Sequence, residues 1–403
     1  MGAVAVMSLN ACGQGVVTDP DPNRIVITND EAALSQRIHD LGQLPLQILA
    51  DGWVGQPALS TRNTFELVLR AEVEAPVLDG ITLQATHVDF SHPKVYVSYN
   101  VQGPVRKGGV EVFWCPSADD LQLWSQALFT DTDVSALDHY SGFLYLATAT
   151  SSPGFSSAAV LEEIELDGHK LTDRTRRVDL PSYAATGVRV VGDRVYVTSG
   201  DVGGGLSVLD AETLSLSHFD AFDDARAVHS WNGLTVAMRG GPAEVRLYGN
   251  PFALLASHVV GGANIPESKS TVYVVRDLIF VAAGDEGLKV VSSLDGSVVQ
   301  HIPVPNVDGV DPEMAVTNGV SVRKDLVFVA NGGAGLFVYQ AKVNLEEQST
   351  TNPQLELVGQ VQFPEGVSTN FVWSSGELLF VANGLGGIRV VKIRERSAAV
   401  VSP

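Results

Sequence analysis

The stretch LVFVANGGAGLFVY, Leu326 to Tyr339, is an apolar run, a glycine-rich turn and a second apolar run. Short β-branched and aromatic runs flanking Asn-Gly read as two strands joined by a tight turn. The same unit recurs as LLFVANGLGGIRVVKI (378–393), LIFVAAGDEGLKVVSSLDG (278–296) and RVYVTSGDVGGGLSVLD (194–210). It recurs again as FLYLATA…AAVLEEI from Phe143 and KVYVSYN…GGVEVF from Lys94, with a weaker seventh copy, GLTVAMRGGPAEVRLYG, from Gly233. The central positions are Tyr96, Tyr145, Tyr196, Thr235, Phe280, Phe328 and Phe380, separated by 49, 51, 39, 45, 48 and 52 residues. The mean of about 47 matches the spacing of four-stranded propeller blades, roughly 40–50 residues.

Each unit reads as four strands. The first precedes the central run, as in Gly319–Asp325 or Thr271–Asp277; the glycine-rich loop leads to the third; the fourth is clearest in LELVGQVQFP, Leu355–Pro364. The central run is apolar on both faces, as a strand covered on both sides by neighbouring blades must be. No stretch of the repeat region carries a 3.6-residue apolar period. Blades expose edges, so the ring must close. The last unit ends at its third strand, GIRVVKI, and FELVLRAEVEAP (Phe65–Pro76) matches LELVGQVQFP closely enough to supply the missing fourth. The prediction is an all-β, seven-bladed β-propeller of four-stranded antiparallel blades over 65–394, closed by an N-terminal strand. A signal remnant (1–12), a tether and extension (13–64) and a tail (395–403) flank it. Within the extension, EAALSQRIHDLGQL (Glu31–Leu44) reads as a short helix packed on the ring or a partner contact.

The pattern resembles the LVIVD-repeat family of secreted or lipid-anchored bacterial propellers, whose motif is an aromatic-Val-Ala-(Asn/Asp)-Gly run followed by Gly-Leu-x-Val-(Val/Leu)-Asp. The resemblance is closest at Phe328–Tyr339, Phe380–Val391 and Tyr196–Asp210, with Phe280–Val291 next. The first two units and the Thr235 unit depart from it, and the terminal Asp stands only at Asp210. The resemblance implies seven blades and is almost mute about activity, since a propeller hosts enzymes and binding modules alike.

A chain of 403 residues exceeds one ordinary core unless it is a repeat or a closed ring, which fits this pattern. With 46 acidic against 26 basic residues, a net charge of −20 and a pI near 4.7, it lacks the basic face of a nucleic-acid binder. Electrostatic docking to anionic lipid is disfavoured for the same reason. Two cysteines make neither a disulfide framework nor a thiolate zinc site. Cys115, in VEVFWC, reads as an inert core thiol. The other, Cys12, ends Leu9-Asn10-Ala11-Cys12 after the apolar run Ala3–Leu9. That is the form of a bacterial lipobox, in which Cys12 takes the lipid and Gly13–Arg24 is the tether. No Lys or Arg precedes the run, as a start codon placed too far downstream would explain. The expected location is the cell envelope, at the outer membrane or cell surface, with the membrane reached through the anchor only.

Asn331-Gly332 and Asn383-Gly384 read as turn residues that tolerate positive φ, and GDVGGG (Gly200–Gly205) is no phosphate loop, since neither a helix nor Lys-Ser/Thr follows. Three acidic loops, Asp223-Asp224, Asp285-Glu286 and Asp308–Asp311 with Glu313, lack the spaced pattern of a calcium loop. No cofactor is expected beyond a structural Ca²⁺ that those loops would have to hold. The histidines are scattered singly; His87, His139 and His229 fall near innermost strands, where three imidazoles could converge on a metal, but at different registers. No metal site is predicted. There is no G-x-S-x-G, whereas carboxylate pairs drawn from distant blades leave no linear signature. Trp114, Trp124, Trp231 and Trp373 can stack a sugar or peptide, or simply pack.

In a propeller, the loops between strands two and three share a face with those linking blades. Here these are the long ones: Ser98–Gly109, Thr148–Ala158, Asn264–Ser270 and Val307–Asn318. The first carries Tyr99, Asn100, Arg106 and Lys107, a basic spot with an aromatic in an acidic chain, and is the expected binding locus. Replacing Tyr99, Arg106 and Lys107 by Ala is expected to weaken partner capture and spare the fold. The leading expectation is a non-enzymatic module, monomeric apart from its partner, that binds a protein or glycan at the envelope. The rival is a hydrolase or lyase with a channel-mouth site built from several blades. Three or more polar side chains converging at one mouth point to the enzyme; a Val-, Ser- and Thr-lined channel points to binding.

Overall fold

The repeat folds as it does because alternate residues of each central strand feed different cores. In Leu326–Ala330 all five residues are buried. Leu326, Phe328 and Ala330 pack with Val372, Leu379 and Val381 of the following unit, while Val327 and Val329 pack with Tyr273, Phe280 and Val290 of the preceding one. The strand is therefore apolar throughout, and no blade has a core of its own. The computed structural model describes residues 23–46 and 65–395, apart from 251, 267 and 365. Seven antiparallel sheets form the ring, each stepping outward in chain order from an innermost strand, except that blades 1 and 7 take their outermost strands from the N-terminal segment. The innermost strands of blades 1 to 7 are Gln84–Ser91, Thr132–Tyr140, Ala184–Val191, Ala225–Trp231, Val272–Val275, Gly319–Arg323 and Phe371–Ser375.

Closure runs as the sequence match requires. Phe65–Val73 pairs antiparallel with Ile388–Glu395, from Phe65 opposite Glu395 to Val73 opposite Ile388, with one bulge. It is the fourth strand of blade 7. Outside it lies a fifth, Ile38–Pro45, pairing Ile38 with Val73 and Pro45 with Val68. Blade 1 also gains a fifth strand, Ile25–Thr28, against Asp120–Phe129. This corrects the reading of the extension. The helix covers only Glu31–Leu34, capped by Asp30 accepting from the Ala32 and Ala33 N–H groups, with a 3₁₀ turn at Ser35–Arg37. Gly42 and Pro45 disfavour further helix, and the open edge of the closing strand offers the segment a ladder instead. Residues 24–45 are thus a strap across the outer edges of the first and last blades.

Inner strands are stitched to their neighbours by side chains. The Asp89 carboxylate accepts from the His139 N–H at 3.1 Å, Asp138 from the Val190 N–H, His229 Nδ1 from the Val274 N–H at 3.2 Å, and Ser321 Oγ from the Ser374 N–H at 3.0 Å. Higher up, the Thr86 hydroxyl donates to the Val134 carbonyl and Thr186 to Ala225. The Asn-Gly pairs tie each turn to the segment entering the innermost strand of its own blade: Asn331 Oδ1 accepts from Thr317, Asn383 donates to Thr369, and both asparagines are buried.

In blades 3, 5, 6 and 7 a glycine with positive φ (Gly205, Gly287, Gly335 and Gly387) leads into the third strand, and its missing Cβ leaves room for an outer-strand carbonyl. At Gly387 (φ +69°) a Cβ would lie 2.0 Å from the Val73 oxygen, on the closing strand itself. Gly376 has a similar φ of +59° but open space around it. Gly376→Ala is expected to show the backbone cost alone, about 1 kcal/mol, whereas Gly387→Ala adds the collision and costs more. Urea midpoints of the two variants measure the difference; equal midpoints would show that the closing strand shifts freely.

Candidate functional site

The face that carries the loops between strands two and three opens into a cavity of about 880 Å³ at the end of the channel. Its wall draws on Gln84, Thr86, Asn100 and Gln102 of blade 1, Ser135 of blade 2, Thr186 and Asp201 of blade 3, and Asp224 and Arg226 of blade 4. Ser268 and Lys269, leading into blade 5, Glu313 and Asn318 of blade 6 and Ser368 and Asn370 of blade 7 complete it. Innermost strands converge on the axis, so side chains at their upper ends meet there although they lie almost 300 residues apart.

Lys269 forms the floor. Its side chain crosses from blade 5 to blade 2, where Nζ donates to the Ser135 carbonyl at 2.7 Å, and the ammonium lies 5.7 Å from the Phe371 ring centroid. Below it a second cavity of about 40 Å³, bordered by His87, His229, Tyr273 and Trp373, shares Lys269, Arg226 and Thr186 with the mouth. That volume suits a few waters and no ligand. Burial brings the Lys269 ammonium down to about 7, the effect of desolvating a cation. Among the described residues no carboxylate is within ion-pair distance of it. Arg226 differs: it makes a two-point pair with Asp224, both contacts at 2.8 Å, and donates to the Ile265 carbonyl.

The three histidines near the innermost strands pack against separate aromatic rings. His87 packs tilted against Phe371 at 4.2 Å and His229 stacks on Tyr273 at 4.3 Å, and burial holds both well below the ordinary imidazole value. His139 stacks on Tyr96, its imidazole lowered to about 4 by burial. Among the described residues no group of three or more His, Cys, Asp or Glu is placed to hold a metal ion. The acidic loops spend their carboxylates locally: Asp223 on the Gly203 N–H, Asp285 on Asn264, Glu286 on Lys289, and Asp311 capping Pro312–Met314. Trp231 and Trp373 border cores and the lower channel, and Trp114 stacks on Trp124 at 4.6 Å. Cys115 is fully buried, its thiol pushed up to about 12 by burial.

Of the four residues picked out on the first long loop, Asn100 lines the mouth. Tyr99 does not. It continues the strand Lys94–Asn100, is fully buried beside Val95 and Val97, and its hydroxyl donates to Glu111 at 2.6 Å. Tyr99→Ala would therefore open the core and strip a donor from a buried carboxylate, so the triple replacement cannot spare the fold. Nor are the two cations free. Arg106 pairs with Asp133 at 2.8 Å and Lys107 with Asp79 at 2.6 Å. Arg106 also lies 4.3 Å from the ring centroid of Tyr183, which is exposed on the rim of the cavity. The aromatic at the mouth is thus Tyr183, held by Arg106. Lys269 and Arg226 escaped the sequence reading because each is a single cation at the end of an inter-blade loop; only the length of Asn264–Ser270 pointed toward one of them. Cys12 lies outside the described residues.

No family model matches the chain, and no curated protein matches it. Solved structures do. The WD40 repeats of RRP9 are 14% identical over 80% of this chain and 98% of that one, with a TM-score of 0.57. U3-55K is 13% identical over 79% and 98%, with a TM-score of 0.54. At such identity the likeness is one of fold.

Proposed function

We propose that this chain is a non-enzymatic binding propeller of the LVIVD-repeat kind, held at the cell envelope by a lipid on Cys12, which receives a polar group of a protein or glycan in the channel mouth. The observation that carries the binding reading is the cavity of about 880 Å³, on the face where long loops meet and within the size range of ligand sites. More than three polar side chains converge there, which on the sequence criterion weighs toward chemistry; their kind weighs the other way. Most are amides and hydroxyls, and the one arginine is already neutralised by Asp224. No nucleophile–base hydrogen bond of the sort that activates a hydroxyl is found among the described side chains of the wall. One observation favours the rival: the Lys269 amine, near neutrality at the cavity floor, is a competent proton acceptor for a hydrolase or lyase.

The test fills the mouth. Asn100→Trp with Ser368→Trp puts two rings into the cavity from adjacent blades. The variant is expected to keep the wild-type unfolding midpoint and to lose capture of the membrane partner; undiminished capture would place the partner elsewhere. With a complete signal sequence, Cys12→Ser is expected to move the protein from the membrane to the soluble fraction. A wild-type chain already soluble in a lipoprotein-processing cell would remove the anchor from the proposal.

A further inference from the structure

Building on the binding reading, we infer that the mouth is a site for an acidic saccharide, whose carboxylate docks on Lys269 while its hydroxyls engage the amides and hydroxyls of the wall above. The ammonium is the pivot. It has three donors, and the only hydrogen bond it makes among the described residues is the one to the Ser135 carbonyl. A cation deep in the ring with no anion beside it among the described residues is a standing cost, relieved when a ligand supplies the counter-charge. The other cation of the floor, Arg226, has its carboxylate already, so among the described residues the unmet charge is that of Lys269.

The wall narrows the ligand class. Side-chain amides both donate and accept, as sugar hydroxyls do, and Gln84, Asn100 and Gln102 line the space with Ser135, while Thr86, Asn318 and Asn370 are tied into hydrogen bonds within the ring. Tyr183 adds an aromatic face at the rim. The cavity, at about 880 Å³, is roomier than a bare carboxylate requires. The protein's field cannot be what recognises the acid, because the chain carries a net charge of −20 and repels anions at long range. Attraction must be local. Salt screens the distant repulsion far more than a buried contact, so affinity should hold or rise with ionic strength, opposite to adventitious ion exchange on a surface.

Protonation follows the same contact. Asp201, Asp224, Arg226 and Glu313 share the upper cavity with Lys269, His87 and His229 share the lower one, and Arg189 acts on both imidazoles. The imidazoles are held neutral through the working range; Asp138, which burial pushes up to about 7, pairs with Arg189 and borders neither cavity, leaving the amine, at about 7, as the cavity-lining group that changes charge near neutrality. A docked carboxylate raises it. Binding at pH 8 therefore takes up a proton, and affinity falls as pH rises from 7 to 9.

The full chain is titrated calorimetrically with trigalacturonate and sialyllactose, and with their neutral counterparts galactotriose and lactose, at two pH values and two salt concentrations. At pH 6.5 at least one acidic sugar is expected to bind tenfold or more tighter than its neutral counterpart. Lys269→Met should erase that preference. Lys269→Arg should keep it and remove the pH dependence, since the guanidinium stays charged. Equal binding of acidic and neutral sugars would overturn the carboxylate contact and leave the binding reading standing. Acidic binding indifferent to Lys269→Met would overturn it too, and binding of none of the four would overturn the saccharide class. Chain shortening of a sugar, seen by chromatography, would instead sink the non-enzymatic reading while the Lys269 dependence is still measured.

Discussion

A chain lacking Phe65–Pro76 is expected to be unfolded at room temperature, without the cooperative thermal transition of the intact protein. The closing strand buries Phe65, Leu67, Val68, Leu69, Ala71 and Val73, and two cores share them: Phe65, Leu67 and Leu69 pack with Val372, Val391 and Ile393, and Ala71 and Val73 with Leu83, Val97 and Phe380. Large apolar side chains contribute roughly 1.5–3 kcal/mol each on full burial, so the strand carries about 8–15 kcal/mol, as much as the whole stability of an ordinary domain. Loss is not confined to blade 7, because the strand is where the last blade meets the first. It also anchors Arg389 through Glu72 at 2.9 Å and places Arg70 against Asp119 at 2.7 Å. Leu67→Ala is the milder probe: the residue is fully buried, so a cost of about 2–5 kcal/mol is expected. Circular dichroism during heating measures both. A deletion that melts like wild type would mean that blade 7 closes with another segment.

The ring and its closure were legible because they rest on local pattern. The glycine-rich turn recurs seven times, and LELVGQVQFP has a near copy in FELVLRAEVEAP, so one blade's outer strand announces the other's. The strap was not legible, since Ile25–Thr28 is four residues inside a polar segment and pairs with a strand about 100 residues away. Tyr99 was misplaced through a strand end drawn too early; the period-two alternation of Val95, Val97 and Tyr99 was the signal that it points inward. The mouth leaves no linear trace. Gln84, Ser135, Thr186, Arg226, Lys269, Asn318 and Asn370 become neighbours only when inner strands from seven blades meet at an axis. An acidic composition hid the site as well, because the cation at the floor is one lysine among 26 basic residues.

Truncation before residue 47 is expected to bring the ring close to unfolding, although from the sequence alone residues 13–60 are expected to be removable at modest cost. The strap inserts two arginines into buried carboxylates. Arg24, 2% exposed, reaches Glu162, which is fully buried, with contacts of 2.8 and 2.7 Å, and its Nε lies 3.2 Å from Asp131. Arg37 pairs with Glu111, also fully buried, and donates to the Glu74 carbonyl at the end of the closing strand. Between them Leu34 enters the core of blade 1 beside Leu123 and Leu128. Stripping a partner from a buried ion pair costs about 3–5 kcal/mol, because the carboxylate that remains is still out of water. Glu162 keeps Arg177 at 3.6 Å, and Glu111 keeps the Tyr99 hydroxyl and the Gln126 amide at 2.6 Å each, so both losses fall toward the lower end of that range. Even so, two such losses together with Leu34 are comparable with the 5–15 kcal/mol that holds a typical domain folded. Truncation before residue 23 removes none of these contacts and serves as the control. Urea unfolding should leave the control's midpoint unchanged and lower that of the longer truncation by well over 1 M, with Arg24→Met and Arg37→Met each falling between. Coincident midpoints for the two truncations would show that residues 24–45 are dispensable to the ring.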